Sequence, residues 1–181
     1  MSKAALISIR PKWCEKIASG TKTIEVRKTR PKMDTPFKCY IYCTLPKYPH
    51  EDFIATDYPR PQFYGGGKVI GEFTCDRIYE LETKAHGGSY YVKGEDWLTA
   101  REVAQQSCLT LKDMHDYLHA QKGYGWHITD LRIYDAPKCL FEFWAERLCR
   151  REPSVFGCGE CCDCDKRAPQ SWCYVEAMDN G

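Results

Sequence analysis

No segment of this 181-residue chain approaches the roughly 20 consecutive apolar residues of a membrane-spanning helix, so the sequence offers no helical membrane anchor. The opening Met-Ser-Lys-Ala-Ala-Leu lacks the apolar run and small-residue cleavage site of a secretory signal, which predicts an intracellular, cytoplasmic protein. Excess charge of either sign is also missing: 26 Lys and Arg stand against 25 Asp and Glu, a formal net charge of +1. A global basic field that would draw the protein along duplex nucleic acid is thereby excluded. Any nucleic-acid contact has to come from a local patch suited to one or a few nucleotides. Internal repeats are absent as well. Cysteine, in contrast, is plentiful, with 12 in the chain. Without an export signal these predict buried free thiols or metal ligands before a disulfide framework. The length, with 43% hydrophobic residues, suits one compact domain with an elaboration or a short appendage.

The opening pattern reads strand, helix, strand. Ala5 to Ile9 is apolar and extended in character, and Pro11 stands where a first helical turn tolerates a missing N–H. Trp13 and Ile17 are four residues apart, Cys14 and Ala18 widen the stripe, and Gly20 supplies the stop. Thr21 to Lys28 then alternates, with Ile24 and Val26 on one face and Thr23, Glu25 and Arg27 on the other. Further strands are predicted at Lys38 to Thr44, Lys68 to Tyr79 and Trp126 to Tyr134, separated by a Pro-, Tyr- and Gly-rich excursion over 46–67. Helices are expected near Trp97 to Ala104, after a capping box at Thr110-Leu-Lys-Asp113, and at Cys139 to Arg150. Gly123 and Gly125 break the second of these. Ser171 to Glu176 alternates large apolar residues and reads as a strand lying beside the main sheet. The sum is an α+β protein with five or six strands.

The chemistry concentrates between Arg10 and Arg27. Lys22 offers a point charge for a phosphate or, if desolvated, a proton acceptor. Glu25 and Arg27, two apart on one strand face, can pair or jointly line a pocket. A carboxylate reads donors on a base edge, and a guanidinium reads phosphate or a carbonyl–nitrogen edge bidentately. Trp13 is either a stacking platform or core, since it shares its stripe with Ile17. The same three charges would also suit an ordinary solvated sheet face.

Ile9-Arg10-Pro11-Lys12-Trp13, a short helix, and then Gly20-Thr21-Lys22-Thr23-Ile24-Glu25-Val26-Arg27 resembles the signature of ASCH domains, of the PUA-like superfamily. The resemblance covers the first 45 residues well, the strand Gly67 to Asp76 loosely, and Thr110 to Tyr134 in order and spacing only. It implies a small mixed β-barrel with flanking helices over 1–138. Residues 139–181 are then a Cys-rich C-terminal extension packing back on the barrel. The whole chain is also similar to phage and gut-bacterial proteins that end in Pro-Gln-Ser-Trp-Cys-Tyr-Val-Glu, here residues 169–176. By this resemblance the ligand-binding residues are Lys22, Glu25, Arg27 and Arg10, and the ligand is RNA, a nucleotide or a modified nucleoside.

Some small ASCH proteins deacetylate N4-acetylcytidine with a lysine, a threonine three residues later and a glutamate in a later helix. Lys22 matches the lysine, Glu25 stands in the threonine's place, and Ser107 or Cys108 falls near the glutamate's. A carboxylate cannot replace an activated hydroxyl without a change of mechanism. No catalytic residue is therefore assigned, and the leading expectation is a binding module. The alternatives are a hydrolase acting on RNA or an N-acylated nucleoside, as amidohydrolase or ribonuclease, and a zinc-stabilised interaction domain. In a variant hydrolase, Cys108 would be the nucleophile, activated by His127 or Lys22. Otherwise Cys108 is a small buried hydrophobe and His127 a strand residue with a local hydrogen bond.

The tail segment Cys158-Gly-Glu-Cys161-Cys162-Asp-Cys164 has zinc-knuckle spacing. Adjacent Cys161 and Cys162 point apart in an extended chain, so Cys158, Cys161 and Cys164 are the predicted ligands of a structural Zn2+. A fourth would come from Cys43, Cys149 or Cys173. Free or disulfide-linked thiols are the alternative.

Overall fold

The computed structural model describes residues 2–45, 66–84, 89–143 and 168–178. Among these residues nine strands and three helices run in the order β1 (Lys3–Ile9), α1 (Pro11–Ala18), β2 (Ile24–Arg27), β3 (Phe37–Cys43), β4 (Lys68–Cys75), β5 (Ile78–Thr83), β6 (Tyr90–Val92), α2 (Ala100–Gln106), α3 (Leu111–Leu118), β7 (Gly123–His127), β8 (Thr129–Cys139) and β9 (Trp172–Glu176). A 3-10 turn, Leu140–Phe143, follows β8.

The strands make two sheets, of order β8-β4-β3-β1-β9 and β2-β7-β5-β6. β1 and β3 are parallel, with α1 and β2 in the crossover between them, and the remaining pairs are antiparallel. The α+β class is as expected. The closed barrel is not: among the described residues the strands form two separate hydrogen-bonded sheets. The chain turns from one to the other at short corners, where single predicted strands split in two. Lys68 to Tyr79 becomes β4 and β5, divided at Asp76 and Arg77. Trp126 to Tyr134 becomes β7 and β8, divided at Ile128, whose N–H donates to the Thr23 carbonyl at 2.9 Å instead of continuing a ladder.

Gly123 and Gly125 lie inside β7, not in a break, because their missing side chains admit Leu118 and Ile24. Gly71 has a related reason: a Cβ there would collide with the Arg132 carbonyl oxygen, at an irregularity in the β4–β8 register. Of the third predicted helix, Cys139 ends β8, Leu140–Phe143 form the 3-10 turn, and 144–150 lie outside the described residues. The Pro-rich excursion over 46–67 likewise lies almost wholly outside them.

Two apolar layers enclose β2. Between the sheets lies a core of Ile7, Ile9, Cys14, Ile17, Cys39, Ile41, Phe73 and Trp126. On the other side, Ile24 and Val26 pack with Val103, Ala104, Met114 and Leu118 of α2 and α3. Those helices start as their sequences predict. Thr99 with Glu102, and Thr110 with Asp113, each form a complete capping box, satisfying two otherwise orphaned donors at each helix start. β9 returns along β1 in antiparallel register from Lys3 opposite Glu176 to Ile7 opposite Trp172, so the strand read at Ser171 to Glu176 adds an edge to the first sheet.

Candidate functional site: a buried charge triad below an open cleft

β2 is covered on both faces, and its four residues are all buried. The outward face of a solvated strand is therefore not what Glu25 and Arg27 occupy. Lys22, Glu25 and Arg27 are only 3%, 6% and 6% exposed, and they form one chain of charge. Glu25 Oε2 lies 3.1 Å from Lys22 Nζ, and its Oε1 lies 3.0 Å from Arg27 Nε. The second contact is an ion pair without a directed hydrogen bond.

Backbone carbonyls complete the arrangement. Lys22 Nζ donates to the Ile24 carbonyl at 2.9 Å and to the Ser107 carbonyl at 2.8 Å. Ser107 caps the C-terminus of α2, so its carbonyl belongs to the negative end of that helix. With Glu25, these acceptors match the three N–H donors of an ammonium. A Lys22 held in this way orients Glu25. Arg27 Nη2 donates to the Ser8 carbonyl on β1 at 2.5 Å, and Nη1 reaches Ser171 Oγ at 3.5 Å. The triad thus ties β2 to α2, to β1 and to the tail strand.

Above the triad opens a cleft of about 540 Å³, within the ~300–1,000 Å³ usual for small-ligand sites. Lys22, Glu25 and Arg27 line its floor together with Ser8, Ile9 and Thr44. Arg10, Lys12 and Trp13 from the start of α1 line it as well, as do Leu109, Asp113 and Tyr117 from α3 and its approach. All four sequence-predicted ligand residues therefore face one space, and Arg10 is the exposed one of the four.

Trp13 combines both of its readings. It packs against the core and also walls the cleft, with Lys12 Nζ 4.6 Å and Lys22 Nζ 5.3 Å from its ring centroid. Among the described residues four cationic side chains line the cleft against two carboxylates, a local positive excess on a chain that is nearly neutral overall.

Asp113 and Tyr117 are cleft residues that sequence reasoning missed. Asp113 was legible only as half of a capping box. Its carboxyl is held below the usual range by the Thr110 hydroxyl and backbone N–H. Tyr117 is one helical turn further along, and that spacing from Asp113 is the signal that could have found it. Desolvation pushes its phenol above the ordinary range, against the pull of the Arg27 guanidinium beside it.

The variant-hydrolase pairing of Cys108 with His127 or Lys22 is not assembled. The Cys108 thiol points to the Thr21 carbonyl at 3.6 Å, and His127 Nδ1 contacts Asp76 Oδ1 at 2.7 Å. Ser107 is fully buried, and its hydroxyl donates to the Ala104 carbonyl. The cleft hydroxyl of Ser8 donates to the Pro169 carbonyl.

The predicted zinc ligands Cys158, Cys161 and Cys164, and the candidate fourth ligand Cys149, lie outside the described residues. Of the other two candidates, Cys43 is fully buried in the core, and burial pushes the Cys173 thiol up to about 11. Among the described residues no group of three or more His, Cys, Asp or Glu side chains is placed to hold a metal. Their seven cysteines are all free thiols. No described helix is long and apolar enough to cross a membrane.

No protein-family model and no curated protein matches the sequence. Solved structures do match. The ASCH protein from Zymomonas mobilis superposes with a TM-score of 0.57 at 18% identity, covering 96% of this chain and 87% of that one. A tyrosine-to-phenylalanine variant of the same protein gives a TM-score of 0.58 at 19% identity, covering 97% of this chain and 91% of that one. At such identity the likeness speaks for the fold: this chain has the fold of ASCH domains.

Proposed function

We propose that the protein is a nucleic-acid or modified-nucleoside binding module. In this reading the ligand enters the cleft above Lys22, Glu25 and Arg27 and is held by Arg10 at the rim. The observation that carries the reading is the buried triad beneath an open, locally cationic cleft. Three charges nearly removed from water are costly to assemble, and here they set a rigid floor of fixed polarity. The rim then supplies what a nucleotide needs. Arg10 and Lys12 suit phosphate, Asp113 suits a donor on a base edge, and Trp13 and Tyr117 offer ring faces for stacking. The ASCH fold is consistent with this reading.

Residues 1–138 are the ASCH-like unit in this proposal, and 139–181 form its extension. A structural Zn2+ on Cys158, Cys161 and Cys164 belongs to the same proposal.

A hydrolase acting on RNA or an N-acylated nucleoside is the competing reading, and the same experiment addresses both. The intact protein is screened by thermal shift against nucleosides, nucleoside monophosphates and short RNAs, with mass spectrometry of each mixture after overnight incubation. Binding without turnover is expected. A ligand present at 100 times its Kd should add about 2.7 kcal/mol of stability. Conversion of any of these compounds would replace the binding reading with the enzymatic one, and no shift with any of them would remove both.

A further inference from the structure

Beside the cleft lies a second hollow, of about 610 Å³, lined by the β2–β3 connection and the Tyr124 ring. Cations predominate in its lining, with Lys28, Arg30 and Lys32 set against Asp34. From Arg27 to Lys32 the chain reads Arg-Lys-Thr-Arg-Pro-Lys, four cations in six residues, with no acid before Asp34. Lys28, Arg30 and Lys32 are exposed and line the hollow at every second position. Arg30 is loosely paired with Glu80 at 3.8 Å. Lys28 and Lys32 have no carboxylate within ion-pair distance among the described residues. Pro31 is buried between them, and the Trp172 indole N–H donates to Thr29 Oγ1 at 2.9 Å, fastening the basic connection to β9.

The hollow and the cleft are neighbours. Lys28 Nζ sits 5.3 Å from the centroid of Tyr117, which lines the cleft. Tyr124 of the hollow stands opposite Arg27, on the cleft floor, in the β2–β7 register.

We infer that this hollow is a second binding site, for the phosphodiester backbone of a single-stranded nucleic acid whose adjacent nucleotide occupies the cleft. The inference rests on the cleft reading above and adds that the preferred ligand is a strand, not a free nucleoside. Exposed cations at alternate positions, Lys28, Arg30 and Lys32, two of them without a carboxylate partner among the described residues, match a repeating anion better than a single one. The Tyr124 ring gives the neighbouring base a face to stack on, which is how strands without a fixed sequence are held.

The test uses the full chain and its Lys28→Ala/Lys32→Ala double variant. Fluorescence anisotropy follows labelled single-stranded RNA and DNA of one sequence, about eight nucleotides long, within the ~4–16 nucleotide span of such sites. A nucleoside monophosphate serves as the cleft control. The double variant should bind the strands roughly tenfold more weakly. Its dependence of log K on log salt should be shallower by about 1.4, two phosphate contacts at ~0.7 each. Its affinity for the monophosphate should match the wild type. Strand binding and salt slope both unchanged would overturn the inference while leaving the cleft reading intact. So would equal competition by an acidic peptide of the same charge, which would make the hollow a protein-docking site. Wild-type protein that binds neither strand nor monophosphate would overturn both.

Discussion

Glu25→Ala should lower the unfolding free energy by about 3–5 kcal/mol, the usual effect of removing one partner from a buried ion pair. The physical cause is what remains. Lys22 and Arg27 are both nearly sealed from water, and Glu25 is the only carboxylate within ion-pair distance of either among the described residues. For a chain of this size the melting temperature should fall by roughly 6–20 °C, at ~2–4 °C per kcal/mol. Calorimetry of the two proteins measures this, and a variant melting within about a degree of wild type would mean the triad does not hold β2 in place.

Replacing all three members with apolar residues of similar size separates stability from binding. The triple variant, Lys22→Met/Glu25→Leu/Arg27→Met, should be more stable than Glu25→Ala, because no uncompensated charge is left inside. The donors that Ile24 and Ser107 lose keep it from full recovery. Ligand binding should nevertheless be absent in it, because the polarity of the cleft floor is gone.

Trp126→Ala is the second change with a large expected cost, about 3–5 kcal/mol for deleting a buried aromatic ring. Trp126 is fully buried on β7, directly opposite Glu25, with ring centroids of Phe37 and Trp172 each 5.8 Å away. It therefore fills the space between the two sheets immediately beside the cleft floor. Its loss should loosen β2 from the first sheet as well as leave a cavity.

Trp126→Phe makes a sharper comparison. The indole N–H has no hydrogen-bond partner among the described residues, and an unsatisfied buried donor costs about 1–3 kcal/mol. Phenylalanine removes that donor along with part of the ring, so the two effects oppose each other. The variant should lose less than about 2 kcal/mol by denaturant titration. A loss as large as that of Trp126→Ala would show that the indole N–H is satisfied in solution.

Much of the α1–β2 region could be read from residues alone, because its signals are local. Pro11 at the first helical turn, the apolar stripe through Cys14 and Ile17, and Gly20 with a φ of 71° each act within a few residues of themselves. The capping boxes at Thr99 and Thr110 are local in the same way. The grouping of Lys22, Glu25, Arg27 and Arg10 also came from this stretch.

What the residues could not disclose depends on contacts across the chain. The charge pattern of β2 fits a solvated face as well as a sealed one. It is sealed because α2 and α3 cover one side and β1 with β9 close the other. The capture of Lys22 by the Ser107 carbonyl spans 85 positions and leaves no local trace. The same holds for the splitting of long apolar runs at Asp76 and Ile128. An extended run with one buried face looks alike in sequence whether it continues in one sheet or turns into another.

The direct test of the binding account is the affinity of a short single-stranded RNA for wild type and for Arg10→Ala, measured by anisotropy across a range of salt. Arg10 is exposed at the rim and outside the buried triad, so its removal should leave folding intact. The account predicts an affinity roughly tenfold weaker, about 1.4 kcal/mol, and a salt slope shallower by about 0.7. Equal affinity and equal slope in the two proteins would contradict it.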